Sequence, residues 1–274
     1  MKNINQKFNI DRFLKLFTKE LKERVPVIFK YATIFSLILI GIWLTSILIN
    51  SSARVPMEVR VVYISLTAFI TMVMAPFTLY KDFNHTKKGT DYISLPASIP
   101  EKYISMILIS LVIMPVMIIS FVLLTDSAIT LFSPKYFDGF LLNENVISKY
   151  SSGFFTDIFI LPSMFLFGNL LFRRNKVVKT ILSSVGIYII LTIAISFVIL
   201  YVFKDQISAI TEAVESGTKL SIDLRNMNDL YNNELLADYP GLRFTVGVFS
   251  FIYSFGLPVG SLAGSYYRMK TMQY

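Results

Sequence analysis

The chain has 274 residues, of which 54% are hydrophobic and 16% are charged, and its mean hydropathy is +0.60. These values are typical of a membrane protein and lie far from the average of soluble domains. The sequence contains no cysteine and a single histidine, which excludes disulfides, thiolate metal sites and multi-histidine metal sites.

Six long apolar runs predict six transmembrane helices. Each run has about the 17 to 25 residues that a helix needs to cross the hydrocarbon core. The runs cover residues 32–48, 61–80, 103–124, 154–172, 180–203 and 244–267. We therefore expect an all-α, multi-pass protein in which residues 1–274 form a single membrane domain.

Basic residues are concentrated in alternate connections between these runs. Most of the 26 Lys and Arg residues lie in the N-terminal segment, between spans two and three, between spans four and five, and in the C-terminal tail. Positive residues in short loops are retained on the cytoplasmic side of a membrane. The pattern predicts that both termini are cytoplasmic, and it explains the net charge of +8 without nucleic-acid binding.

Residues 9–25, ahead of the first span, have the pattern of an amphipathic helix with basic residues on its polar side. Its apolar positions recur at intervals of three and four, at Ile10, Phe13, Leu14, Phe17 and Leu21. Such a helix is expected to lie in the headgroup layer as an interfacial elbow, before Pro26 turns the chain toward the bilayer. The alternative is that the apolar stripe packs on a partner protein or on the other spans.

The connection at residues 81–102 contains a clear helix start. Ser98 and Glu101 have the spacing of a capping box, with Pro100 in the first turn, and predict a helix that runs straight into the third span. The cap would fix the preceding loop and present Tyr92, Ile93 and Leu95 as a small apolar patch for a partner protein. The alternative is a well-capped helix start with no further role.

The order of these features resembles the membrane subunit of the type-2 ABC exporters, the type V exporter fold. That family has an elbow helix, six spans, a coupling segment between spans two and three, and a large outer loop before span six. At residue level, the string YISLPAS at 92–98, followed by Glu101, Lys102 and Tyr103, is similar to the "LPxS…EK" stretch of bacterial members.

The resemblance implies the permease subunit of an ATP-driven exporter in a bacterial inner membrane, working by alternating access. A separate ABC ATPase chain would carry ATP and Mg²⁺, since this chain has no G-x-x-x-x-G-K-[ST] phosphate loop and no cofactor is expected on it. A second permease chain, identical or different, would complete a dimer. The contact residues that we expect for the ATPase are Lys87, Lys88, Tyr92, Ile93 and Leu95.

The outer loop at residues 204–243 is long enough for short helices. In the resembled family, the segment before the last span dips back toward the membrane and forms an outer gate. The positions implied here are Leu235, Leu236, Tyr239 and Leu242. The alternative is a solvated loop with local helices.

The last span carries Gly256, Gly260 and Gly264 at intervals of four residues. This spacing gives a smooth helix face for close contact. We expect the face to pack within the chain rather than to form a dimer seam.

Charged residues are scarce in the predicted spans. Asp157 is the one acidic residue that falls within them, near the outer end of span four, which argues against an ion-coupled carrier. The sequence also shows no zinc motif, no paired acidic residues of an intramembrane protease and no other catalytic motif, so we do not expect an enzyme. The alternatives to the exporter are a membrane scaffold or accessory subunit and, after it, an ion-coupled secondary carrier.

Overall fold

The computed structural model describes residues 8–49, 54–83, 92, 95–141, 160–208 and 239–271. Within these ranges the chain is helical, apart from short turns and an isolated bridge between Val55 and Phe137. The principal helices are α1 (Ile10–Ile49), α2 (Met57–Leu79), α3 (Ile99–Phe132), α4 (Ile160–Leu171), α5 (Lys176–Val202) and α6 (Pro240–Thr271).

Five of these helices, all except α4, are long and apolar enough to cross a membrane. The protein is therefore a membrane-integral, all-helical protein. Helix α4 covers the described part of the fourth predicted span, and the first residues of that prediction, including Asp157, lie outside the described residues. Six complete spans thus remain a prediction, while five are supported by length and composition.

Helix α1 differs from the predicted elbow. It continues through Pro26 as one helix of 40 residues, so a separate elbow helix that ends before Pro26 is not confirmed. One buried stripe runs along the helix from Leu16 and Glu20 to Leu39 and Trp43. This stripe packs on other helices both before and after Pro26, so the N-terminal segment and the first span belong to one continuous helix.

The bundle has α1, α2 and α3 at its centre. Helix α1 packs along α3, and α2 packs against both. Trp43 is 1% exposed, and its ring meets the rings of Tyr63 and Phe137 edge-on. In α3 and α6, a π-helical turn ends two residues before Pro115 and two residues before Pro258, so both prolines lie next to irregular turns.

Contacts at the two ends of the bundle show that successive helices alternate in direction. At one end, Arg12 near the start of α1 pairs with Glu101 at the start of α3, and Asn169 near the end of α4 donates to the Tyr80 carbonyl after α2. We call this the basic end, because the clusters of Lys and Arg residues lie there. That the basic end faces the cytoplasm follows from the charge pattern and remains a prediction.

The opposite end is held by a buried ion pair between α2 and α3. Arg60 and Asp126 are 0% and 1% exposed, and the guanidinium binds the carboxylate through Nε at 3.1 Å and Nη2 at 2.5 Å. Arg60 also donates to Thr130 Oγ1 and to the Gly139 carbonyl, each at 2.8 Å. These bonds satisfy a charge pair that would otherwise be costly to bury.

Replacing Asp126 with Ala is expected to lower the free energy of unfolding by about 3–5 kcal/mol, because it leaves the Arg60 charge buried and unpaired. Thermal unfolding of the purified protein in detergent measures the effect. Arg54→Ala is the matched control, because its pair with Asp138 is 3.7 Å long and exposed, and such pairs contribute little. Equal stability of the two variants would contradict the structural role of the buried pair.

Helices α4 and α5 form a tight hairpin at the basic end. Asn175 begins α5 with a left-handed backbone, φ 51°, a conformation that Asn tolerates better than most residues. A Cβ atom on Gly168 would lie 2.0 Å from Thr180 Oγ1. The hairpin therefore requires glycine at position 168.

Gly168→Ala is expected to destabilise the protein by about 1–3 kcal/mol through overpacking, seen as a lower unfolding temperature. Gly186→Ala on α5 is the control, because a Cβ atom there would meet nothing within 4 Å. The close approach of α4 and α5 would be disproved if both alanine variants unfolded at the wild-type temperature.

Candidate functional site

The basic end holds a cluster of polar groups that joins three helices. We call it the polar junction and define it by Arg12, Glu20, Tyr80, Glu101 and Ser105. These residues come from α1, from the end of α2 and from the start of α3. Glu20, Tyr80, Glu101 and Ser105 are each at most 2% exposed.

Glu101 serves two helix starts at once. Its Oε2 accepts the Ser98 backbone N–H at 2.9 Å, as the predicted capping box requires, and α3 begins at the next residue. Its Oε1 accepts the Asn9 backbone N–H at 2.7 Å, and Asn9 in turn caps α1 through Oδ1. The capping box is confirmed, and the sequence did not reveal that the same carboxylate also binds the start of α1.

Arg12 completes the pairing with Glu101. Its Nε and Nη2 donate to the two carboxylate oxygens at 2.7 and 2.6 Å. The pair is a bidentate, charge-assisted contact, the strong form of an Arg–carboxylate interaction. The side chain of Arg12 is 28% exposed while that of Glu101 is fully buried, so the contact lies at the edge of the bundle.

A second buried carboxylate, Glu20, lies further along α1, eight residues after Arg12. Its Oε2 accepts hydrogen bonds from the hydroxyls of Tyr80 and Ser105, each at 2.9 Å. Arg24, one helical turn along α1, stacks on the Tyr80 ring at 3.8 Å and donates to the Leu79 carbonyl. The junction thus ties α1 to the end of α2 and to the start of α3, which flank the predicted coupling connection.

The structure describes two of the five predicted ATPase-contact residues. Tyr92 is half-buried, and its ring packs edge-on against Phe83 with centroids 4.9 Å apart. Burial raises the pKa of its phenol well above the ordinary value, so Tyr92 is a neutral donor, with its hydroxyl 3.3 Å from the Lys102 carbonyl. Leu95 is half-buried beside the exposed Pro96.

The other three predicted contact residues, Lys87, Lys88 and Ile93, lie outside the described residues. Tyr92 packs inward on the bundle, against Phe83 and Tyr80. It therefore connects the loop to the polar junction and does not project from the loop toward a partner. Leu95 remains the best candidate for the outer surface of this connection. Neither residue's contact with a partner is tested by the structure, and both assignments stay predictions.

At the opposite end, the predicted gate is described at two positions. Leu242 in the first turn of α6 is 2% exposed, and Tyr239, Ile199 and Phe203 pack against it. Leu235 and Leu236 lie outside the described residues. The described part of the predicted gate is therefore a small apolar cluster that joins the start of α6 to the end of α5.

Sequence reasoning missed four buried charges, at Glu20, Arg60, Lys102 and Asp126. Each falls in a segment that looked like a polar flank of a span. The available signal was helical spacing: Glu20 lies four residues after the buried Leu16, and Asp126 lies four residues after the buried Val122 and four before Thr130. A charge at a buried helical position predicts a partner on a neighbouring helix.

Comparison with known proteins finds no family model, no curated protein and no solved structure that matches the chain. The resemblance to the type-2 exporters thus rests on the order of the spans and on the string at residues 92–103. Within the part of the chain that the structure describes, no group of three or more His, Asp or Glu residues could hold a metal ion.

Glu101→Ala is expected to speed hydrogen exchange at the Asn9 amide by about tenfold or more, because the mutation removes a charged hydrogen-bond acceptor. Exchange is measured by mass spectrometry on a peptide that begins at or before residue 6 and extends to residue 14, because the label on the first two residues of a peptide is lost. Glu23→Ala is the control, since its pair with Lys19 is exposed and 3.8 Å long. Unchanged exchange in Glu101→Ala would show that Glu101 does not hold the start of α1.

Proposed function

We propose that the chain is the permease subunit of an ATP-driven exporter in a bacterial inner membrane, and that a separate ABC ATPase binds the connection between α2 and α3. The substrate would cross by alternating access between this chain and a second permease chain. The proposal is supported by the membrane-integral fold, by the order of the predicted features and by the similarity of residues 92–103 to the family stretch.

The observation that carries the proposal is the position of the polar junction. It binds the end of α2 and the start of α3, the two ends of the connection, to α1 through Glu20, Arg12 and Glu101. A force applied to the connection would therefore move three helices together. An ATPase can drive transport only if it binds two states of the permease differently, and such a linked set of helices is suited to that task.

The proposal is tested by identifying the proteins that copurify with the tagged chain. The chain is extracted from its native membrane in mild detergent, and its partners are identified by mass spectrometry. We expect an ATPase chain with a phosphate-binding loop. Leu95→Asp should reduce its recovery about tenfold or more, because a carboxylate would be buried in the interface without a partner, and charge reversal at Lys87 and Lys88 should act in the same direction.

Phe140→Asp is the matched control, because Phe140 is 47% exposed and lies at the opposite end of the bundle. Recovery of the ATPase should stay at the wild-type level in this variant. If no ATPase copurifies with the wild-type chain, the exporter proposal fails and the scaffold becomes the better interpretation. Transport that continues without ATP and stops when the ion gradient collapses would instead indicate a secondary carrier.

A further inference from the structure

A cleft of about 200 Å³ lies between α4, α5 and α6, partly open at the surface of the bundle. It extends on α5 from Thr180 to Ile187, about 10 Å along the helix axis. Its wall includes Phe167, Gly168, Thr180, Ser183, Gly256 and Gly260. We call this space the lateral cleft.

The glycines of α6 open this cleft instead of closing it. At Gly264 the helices are in contact, because a Cβ atom there would lie 2.9 Å from the Phe167 ring. At Gly260 a Cβ atom would meet nothing within 4 Å, and at Gly256 it would meet only Ile252 of the same helix. The predicted close packing within the chain therefore holds at Gly264, and α6 leaves a gap one and two turns before it.

The interior of the lateral cleft is apolar despite its hydroxyl groups. Thr180 Oγ1 donates to the Lys176 carbonyl at 2.7 Å, and Ser183 Oγ donates to the Lys179 carbonyl at the same distance. These two hydroxyls are thus used within α5. Ser184 and Ser261 also line the cleft, and its exposed surface is formed mostly by carbon atoms. A cleft with this surface, bounded on two sides by α5 and α6, which are both of membrane-spanning length, favours a hydrocarbon chain.

Positive charge lies at the basic-end mouth of the cleft. Arg173 and Arg174 occupy the turn between α4 and α5, and Lys179 follows in the first turn of α5; all three side chains are exposed. Leu171, Phe172 and Thr180, which flank this turn, belong to the wall of the cleft. Basic groups beside a pocket between membrane helices are suited to the phosphate of an anionic lipid.

We propose that the lateral cleft binds one anionic phospholipid. Its acyl chain lies between α5 and α6 against Gly256 and Gly260, and its phosphate binds Arg173 and Arg174. The apolar wall of the cleft binds the acyl chain of the lipid. The positive charge at the mouth favours an anionic headgroup over a zwitterionic one. This site does not depend on the exporter assignment, because it uses neither the polar junction nor the connection between α2 and α3.

Native mass spectrometry of the detergent-purified chain tests the proposal. The chain is titrated with phosphatidylglycerol and, separately, with phosphatidylcholine that has the same acyl chains. We expect one phosphatidylglycerol molecule to bind at concentrations at which phosphatidylcholine does not. Gly260→Leu should weaken phosphatidylglycerol binding about tenfold, equivalent to the loss of roughly two buried methylene groups.

The controls use matched substitutions elsewhere in the chain. Gly41→Leu on α1 adds the same side chain where a Cβ atom also meets nothing within 4 Å, and it should leave lipid binding unchanged. Arg173→Gln with Arg174→Gln should abolish the preference for phosphatidylglycerol, whereas Lys15→Gln with Lys22→Gln, two exposed changes on α1, should preserve it.

Three results would overturn the proposal. Equal phosphatidylglycerol binding by Gly260→Leu and Gly41→Leu would place the lipid elsewhere. Conversion of a wild-type dimer to a monomer by Gly260→Leu, with the same number of bound lipids, would show that a helix of a second copy fills the cleft. Displacement of the lipid by glycerol phosphate alone would also contradict it, because the acyl chain would then contribute nothing.

Discussion

The bidentate contact between Arg12 and Glu101 is the interaction on which the basic end of the bundle depends. One carboxylate accepts from Arg12 on α1, from the backbone of Asn9, which caps α1, and from the backbone of Ser98, which caps α3. A helix start leaves its first N–H groups without partners inside the helix. By serving two such starts, Glu101 fixes the relative positions of two helices that are about ninety residues apart in sequence. Glu20 extends the same bonding to the end of α2.

The two ends of the bundle are thus held by ionic groups, while the middle is held by apolar packing. Arg60 and Asp126 join α2 to α3 at the opposite end, and the rings of Trp43, Tyr63 and Phe137 pack close by. Helix α5 is different, since Thr180 is its one buried residue. The structure therefore combines a tightly connected centre, α1 to α3, with a peripheral α5 that is largely open to its surroundings.

Local patterns predicted this fold better than long-range ones. The capping box at Ser98 and Glu101 gave the start of α3 to the residue, because all its atoms come from one short segment. Hydropathy located the five helices of membrane-spanning length but ended the third predicted span at Leu124, eight residues before the helix ends at Phe132. In the sequence, the charged residue Asp126 suggests that the span has ended and a loop has begun. Its pairing with Arg60 allows it to lie buried inside the helix instead. Pro26 was expected to turn the chain, whereas α1 runs through it. The contacts of Glu20 and Arg24 just before Pro26 come from distant segments and are not visible in the local sequence.

The length of α1 has a geometric consequence. At 1.5 Å per residue, its 40 residues measure about 60 Å, roughly twice the thickness of a hydrocarbon core. Tilt cannot bring the whole helix inside, because it would have to reach about 60° from the normal, beyond the 0–40° seen for transmembrane helices. A large part of α1 must project from the hydrocarbon, and the lysines at positions 15, 19 and 22 indicate which part. The helix thus connects the headgroup region, where its charged residues can be solvated, to the opposite end of the bundle, where Trp43 packs against Phe137.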